Sequence, residues 1–297
     1  MQNDIQSKVG VNDIAKQKHE KIIDATSGFI SSKEEMDIGE LLINYQFPNI
    51  IEEIAFVFCL EGNAKIKINL IDYEVHKDSV TILGHNNIVQ ILDHSDDFRI
   101  SFLFFTFDFF SSIRLPTQLG DIAKTIETQP CLYPSKPDFE KLLATQQLIN
   151  LQYGSSDSYR DEIVRNLLYA LVYQLLQQYV VNANKGQQKA FSRKQDIYMK
   201  FMTLLFEKYK IERSVQFYAD QLHLTRKYFS RVVLEVSNKK PSEWIEEMVV
   251  MTAKALLKGS DMTAAQIADD LNFSSSSFFG AYFKKRVNLS PLQYREL

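Results

Sequence analysis

Residues 267–291 read IADDLNFSSSSFFGAYFKKRVNLSP. The fold turns on whether the four serines, Ser274 to Ser277, are a linker or the opening of a helix. The residues before them favour a helix. Thr263 and Gln266 have capping-box spacing, with Thr as N-cap and Gln at the third helical position. The helix they open carries Ile267, Ala268 and Leu271. Asn272 then suits a left-handed turn residue, and Phe273 would pack back. Ser274 or Ser275 can cap a second helix, whose Phe279, Tyr282, Phe283 and Val287 fall at helical spacing. Ser290, Pro291 and Gln293 repeat the capping pattern with proline at the first helical position. Helix, short turn, helix makes a helix-turn-helix unit.

The pattern occurs twice. In SVQFYADQLHLTRKYFSRVVLEVSNKKP (214–241), Ala219 and Leu222 stand where Ala268 and Leu271 stand later, and Phe229, Val233 and Pro241 match Phe279, Phe283 and Pro291. The offset is 49 before the turn and 50 after it, so the second turn is one residue longer. Such self-similarity marks an internal repeat. Between the copies, Pro241 to Leu257 predicts one helix about 25 Å long. A rigid spacer of that kind suits two recognition helices in successive major grooves, ~34 Å apart on B-DNA.

Upstream the period changes. Residues 25–115 alternate apolar and polar positions: Ala64, Ile66, Ile68 and Leu70 predict one strand face, Lys65, Lys67 and Asn69 the other. Glu61-Gly62-Asn63 predicts a turn, Lys77-Asp78 a break before the strand Ser79 to Leu83, and FRISFLFFTFDFF (98–110) a strand with both faces partly buried. The expectation is an antiparallel sandwich or barrel. Helical spacing follows over Phe139 to Leu151 and Asp157 to Val181, the second with a stripe of Ile163, Leu167, Tyr169/Ala170, Tyr173/Gln174 and Leu176/Gln177. That stripe suits either packing on the β region or a dimer helix. The expected fold class is α+β. Its parts are an N-terminal arm (1–20), a β-rich, helix-ended domain (21–183), a polar linker (184–194) and an all-α domain (195–297).

Composition sets the remaining bounds. With 297 residues, two domains are expected. At 45% apolar and 24% charged residues, the composition is that of an ordinary globular protein. No apolar run approaches the ~18 residues that span a bilayer, and the N-terminus, MQNDIQSKVG, lacks a signal-peptide core. Cys59 and Cys131 are the only cysteines, which suits a reduced cytoplasmic protein, with Cys59 as a small buried hydrophobe. Net charge is −3, but residues 192–297 carry 17 Lys+Arg against 12 Asp+Glu, net +5, and the remainder is net −8. That asymmetry points to a basic binding module joined to an acidic one.

SVQFYADQLHLTRKYFSRVV, then AKALL, then AAQIADDLNF, SFFGAYFKK and the terminal SP resemble the double helix-turn-helix domain of AraC/XylS-type transcription regulators over about 195–297. The β-rich region is similar in layout to that family's cupin-like effector domain. The resemblance implies a regulator, by expectation an activator, that binds promoter double-stranded DNA. It also implies contact with RNA polymerase, a homodimer, and response to a small-molecule effector. It implies no catalytic activity and no cofactor. Asn272 and Asn288 stand where the family commonly has Gly, Val249 where an Arg often precedes the AKxLL stretch, and Ala281 where an Arg is frequent.

The expected DNA-contacting residues of the first unit are Thr225, Arg226, Lys227, Ser230 and Arg231, with Tyr228 at the margin. Arginine can bind guanine O6/N7 bidentately, and lysine serves phosphate or guanine. In the second unit they are Ser275, Ser276, Ser277, Gly280, Ala281, Lys284 and Lys285, followed by Arg286. Serine reads bases weakly and alanine can touch a thymine methyl, so the small side chains there suggest mainly phosphate grip and shape readout, leaving most base specificity to the first unit. His76, His85 and His94 are nine apart, and no HxH pair of a metal-binding cupin occurs. Phe56, Phe58, Phe102, Phe104 and Phe105 suit either core or the lining of a ligand cavity. Two rivals remain: a metal-dependent cupin-type enzyme with a helical appendage, and an interaction protein with degenerate DNA readout.

Overall fold

A computed structural model describes residues 8–9, 22–23, 28–32, 35–37, 47–106, 126, 129–153, 158–184 and 193–297. The expected arm, apart from residues 8–9, and the linker interior, 185–192, lie outside the described residues. So do residues 107–110 of the phenylalanine-rich stretch. The chain divides into two compact units, Met1–Gln187 and Gln188–Leu297.

The first unit is α+β. One sheet runs β1 (Lys8–Val9), β5 (Asn49–Ile51), β10 (Ile88–His94), β7 (Asn63–Ile68), β8 (Ile71–His76). The other runs β12 (Cys131–Leu132), β9 (Ser79–Leu83), β6 (Ile54–Glu61), β11 (Arg99–Phe105), β3 (Phe29–Ser32), β2 (Ile22–Ile23), with β4 (Met36–Asp37) also on β11. Pairing is antiparallel except between β1 and β5. Helices α1 (Lys136–Tyr153) and α2 (Arg160–Asn184) complete the unit.

The second sheet is buried on both sides, which explains its unbroken apolar sequence. Alternate residues Ala55, Cys59, Ile100, Phe102 and Phe104 join Ala64, Ile66, Ile68 and Val75 of the first sheet in one core. Phe56, Phe58, Leu103 and Phe105 join Leu142, Ile149, Leu168 and Leu175 of α1 and α2 in another. The five phenylalanines that might have lined one cavity are therefore split between opposite faces of one sheet. Edge contacts fill both sides: the Phe56 and Phe105 ring centroids are 5.1 Å apart, and those of Phe102 and Phe104 are 5.4 Å apart. A polar seam crosses the layers: the Ser32 and Ser101 hydroxyls lie 2.8 Å apart, and the buried Gln146 amide of α1 donates to Ser101 Oγ.

The turns are set by local backbone demands. Gly62 joins β6 to β7 at φ +70, and a Cβ there would lie 2.7 Å from the Phe98 backbone, so only glycine fits. Two expectations need correction. Asn69 and Leu70 do not extend the alternation of β7: both have positive φ and form the β7–β8 hairpin turn. Asn69 is buried because its Oδ1 accepts from the Ile88 amide at 2.8 Å. In α2 the expected stripe is right at Leu176, which is buried, and at Leu167, which packs against the core, but is mis-phased elsewhere. Val164, Leu168, Leu171, Val172, Leu175 and Tyr179 are buried, whereas Ile163 and Tyr173 are exposed. The helix carries apolar residues on both stripes, and only the sheet beneath it selects one.

The second unit is all α. It comprises α3 (Arg193–Lys208), α4 (Val215–Gln221), α5 (Arg226–Ser237), α6 (Pro241–Gly259), α7 (Ala264–Asp270), α8 (Ser276–Val287) and α9 (Pro291–Glu296). Among the described residues no helix is long and apolar enough to cross a membrane.

Candidate nucleic-acid interface

Each unit is assembled by the same local chemistry. After α4, His223 takes φ 54 and the Leu224 amide donates back to Ala219 O at 2.9 Å. After α7, Asn272 takes φ 52 and the Phe273 amide donates to Ala268 O at 2.8 Å. Both are left-handed helix exits with the same i to i−5 closure. Thr225 then caps α5 by accepting from the Tyr228 amide, and Ser275 caps α8 by accepting from the Phe278 amide. The serine run is thereby resolved. Ser274 is the extra turn residue that changes the repeat offset from 49 to 50, Ser275 is the N-cap, and Ser276 and Ser277 begin the helix. Both helices leave through a left-handed asparagine, Asn238 and Asn288, so Asn serves where glycine is usual.

Packing fixes which faces remain outside. Phe229, Val232 and Val233 of α5 are buried, with the Phe229 ring 5.1 Å from Phe201 of α3. Phe279 and Phe283 of α8 are buried, while Tyr282 and Val287 are half-buried. Thr225, Arg226, Lys227 and Arg231 are exposed, and Tyr228 and Ser230 half-buried. On the second helix Ser275, Ser276, Ser277, Ala281, Lys284 and Lys285 are exposed, and Gly280 is half-buried with nothing within 4 Å of an added Cβ.

The charges divide into committed and uncommitted groups. Among the described residues, Arg226, Lys227, Lys284 and Lys285 have no carboxylate within salt-bridge distance, whereas Arg231 Nε lies 3.9 Å from Glu235, which also holds Lys194 at 2.7 Å. Arg286, which follows the expected outward cations, is committed inward. It pairs with Glu246 of α6 at 2.7 Å and lies 3.6 Å over the Tyr282 ring.

The two units are joined by more than sequence. Helix α6 has 19 residues and, at a rise of ~1.5 Å per residue, is about 28 Å long. It starts with Pro241 at its first position and Glu243 accepting from the Lys240 amide at 2.6 Å. Trp244 donates to Ser237 Oγ of α5 at 3.0 Å, and Glu246 holds α8. Val249, where an arginine was a family expectation, is fully buried in the apolar spine of α6. A second tie was not legible in the sequence. The Arg213 guanidinium stacks 3.9 Å over Phe273 and donates to Leu271 O, and burial lowers its pKa from the usual arginine value. Lys210 pairs with Asp270 at 2.8 Å beside it.

Phe278 was also missed. It is 58% exposed, next to the buried Phe279. Its signal was available in the helical phase, since a residue adjacent to the Phe279–Phe283 stripe is turned about 100° from it.

His76, His85 and His94, the described histidines of the first unit, have local partners. His76 stacks on Tyr133 at 4.8 Å, His85 Nδ1 pairs with Glu52 O, and His94 Nδ1 lies 3.1 Å from Ser95 O. Among the described residues no group of three His, Cys, Asp or Glu converges.

A helix-turn-helix domain family profile matches residues 218–297. Regulatory protein PocR of Salmonella typhimurium is 30% identical over 78 residues, 26% of this chain and 26% of PocR. The raffinose operon transcriptional regulatory protein RafR of Pediococcus pentosaceus is 21% identical over 193 residues, 65% of this chain and 67% of RafR. The match to PocR thus spans about a quarter of that relative's length. Among solved structures, ToxT of Vibrio cholerae bound to an unsaturated fatty acid aligns with TM-score 0.42 at 19% identity, covering 83% of this chain and 87% of ToxT.

Proposed function

The C-terminal unit is an AraC-type helix-turn-helix domain, and from that premise we propose that the protein is a transcription regulator that binds promoter DNA sequence-specifically. The observation that carries the reading is the pair α5 and α8. Each is N-capped and exposed at its N-terminal face, each bears cations without carboxylate partners among the described residues, and both are tied to the single helix α6. Helices entering the major groove use their N-terminal residues on base edges. Arg226 reads guanine by two hydrogen bonds, and Lys227, Lys284 and Lys285 neutralise phosphates. Thr225 and Ser275 preset the first turn, so their helix N–H groups face the DNA already ordered.

The N-terminal unit, in this reading, binds a small-molecule effector and mediates homodimerisation. An effector with different affinity for two arrangements of the chain shifts their populations, and with them the engagement of paired sites. Activation then proceeds through contact with RNA polymerase.

The test is selection of bound duplexes from a random pool, then anisotropy titrations of the winner and a scrambled duplex at several salt concentrations. A preference of about 10³ or more, in sites spaced by about one helical turn, supports the reading. Arg226→Ala should cost about 1–3 kcal/mol and relax selection at one position. Equal, salt-erased binding to both duplexes sinks it and favours an interaction protein.

A further inference from the structure

We infer that the second recognition helix reads its half of the DNA site through thymine methyl groups, with Phe278 as the main contact. This rests on the DNA-binding reading above and adds the chemistry of one half-site. The exposed face of α8 carries no planar multi-donor side chain: Ser276, Ser277, Phe278 and Ala281 precede Lys284 and Lys285. Bidentate recognition of guanine or adenine is made by Arg, Lys, Asn or Gln; serine's single hydroxyl reads bases only weakly, and the lysines of this helix are assigned to phosphates. The apolar group that the major groove offers is the thymine C5-methyl, which alanine and phenylalanine contact.

Scattered exposed apolar residues are common and need no explanation. This one differs in its setting. Phe278 is 58% exposed and lies one helical turn from the exposed Ala281. The ring is also braced: it sits 6.1 Å from Phe273, which itself lies under the Arg213 guanidinium at 3.9 Å and tilted against Phe279 at 5.3 Å. At the opposite margin of the exposed face, Gly280 leaves open space, with nothing within 4 Å of an added Cβ. Glycine inside a helix is unfavourable by about 1 kcal/mol against alanine, and no packing contact here requires it. A close approach from outside does. Lys284 and Lys285 follow one turn later with no carboxylate partner among the described residues, which suits a polyanion flanking the apolar patch. The sequence expectation, which gave a thymine-methyl contact to Ala281 and phosphate grip and shape readout to the rest of this helix, omits the largest side chain on its open face.

The experiment uses the full chain and the duplex won in the selection, with thymines replaced by deoxyuridine in one half-site at a time. Deoxyuridine lacks only the methyl group. One half-site should lose about fourfold in affinity per contacted methyl, and the other should not. Phe278→Asn should abolish that thymine–deoxyuridine difference, Phe278→Leu should retain most of it, and Arg226→Ala should leave it intact. Unchanged melting temperatures of the variants show that the fold is preserved. A selected duplex that binds equally with and without its methyls overturns the inference and leaves the regulator intact. So does a Phe278→Asn chain that still discriminates. A chain with no preference for the selected duplex overturns both.

Discussion

Gly280 separates folding from binding at a single residue. It is helical, its φ is not left-handed, and the space over it is empty. Gly280→Ala should therefore raise the stability of the C-terminal unit by about 1 kcal/mol, measured by chemical denaturation. On the proposed function, which puts Gly280 in the DNA-facing surface, the same methyl should weaken the specific DNA complex. A variant that is both stabler and tighter-binding would remove Gly280 from the interface. The cysteines show the opposite case, residues whose chemistry is switched off. Burial, with the Asp78 and Glu61 charges next, pushes Cys59 up to about 12, and burial pushes Cys131 up to about 11. The reactive thiolate forms only as pH rises towards those values. At pH 8 a disulfide reagent should find neither thiol in the native protein and both after denaturation. Fast native labelling would contradict the buried placement.

At the scale of elements, the serine run contains separate jobs under one residue type. Ser275 caps α8 as Thr225 caps α5, while Ser274 makes the extra turn residue. Ser275→Ala and Thr225→Ala should each cost about 1 kcal/mol, and Ser274→Ala close to nothing. Ser214 precedes α4 without a side-chain cap bond, so Ser214→Ala should also be mild. Urea denaturation of the four variants checks the ranking, and equal losses at Ser274 and Ser275 would refute it. The boxes at Thr263 and Ser290 were legible because a capping box is complete within four residues of sequence, whereas the choice between Ser274 and Ser275 stayed open and the Thr225 cap was not read. The buried face of α2 was not. Ile163 and Val164 are equally apolar, and only the core containing Phe56 and Phe105 decides that Val164 points in.

At the scale of the whole molecule, the chain joins a net-acidic part to a net-basic one, +5 over residues 192–297. Its DNA affinity should fall steeply with salt, and each phosphate-contacting lysine removed should reduce the slope of log K against log salt by about 1. Within the C-terminal unit, the Arg213 stack on Phe273 and its hydrogen bond to Leu271 O tie the segment before α4 to the turn before α8. Arg213→Ala should lower the stability of that unit by about 2 kcal/mol, since a half-buried cation–π contact and a charged hydrogen bond are lost together. An unchanged denaturation midpoint would mean the tie is cosmetic.

By itself, the sequence determined what is local. The repeat, its offset of 49 and then 50, the left-handed Asn272, the boxes at Thr263 and Ser290, and the alternation around Ala64, Ile66 and Ile68 all depend on neighbours within a few residues. So the α+β class, the double unit and the exposed polar faces of α5 and α8 could be read from it. Only the tertiary structure decided the rest. Asn69 is buried because Ile88 needs an acceptor, Arg286 is withdrawn because Glu246 lies opposite, and Phe273 meets an arginine 60 positions earlier. Which of two apolar stripes goes inside, and which cation stays free for a phosphate, depends on partners brought together by folding. Propensity and periodicity act along the chain, whereas desolvation and charge pairing act through space.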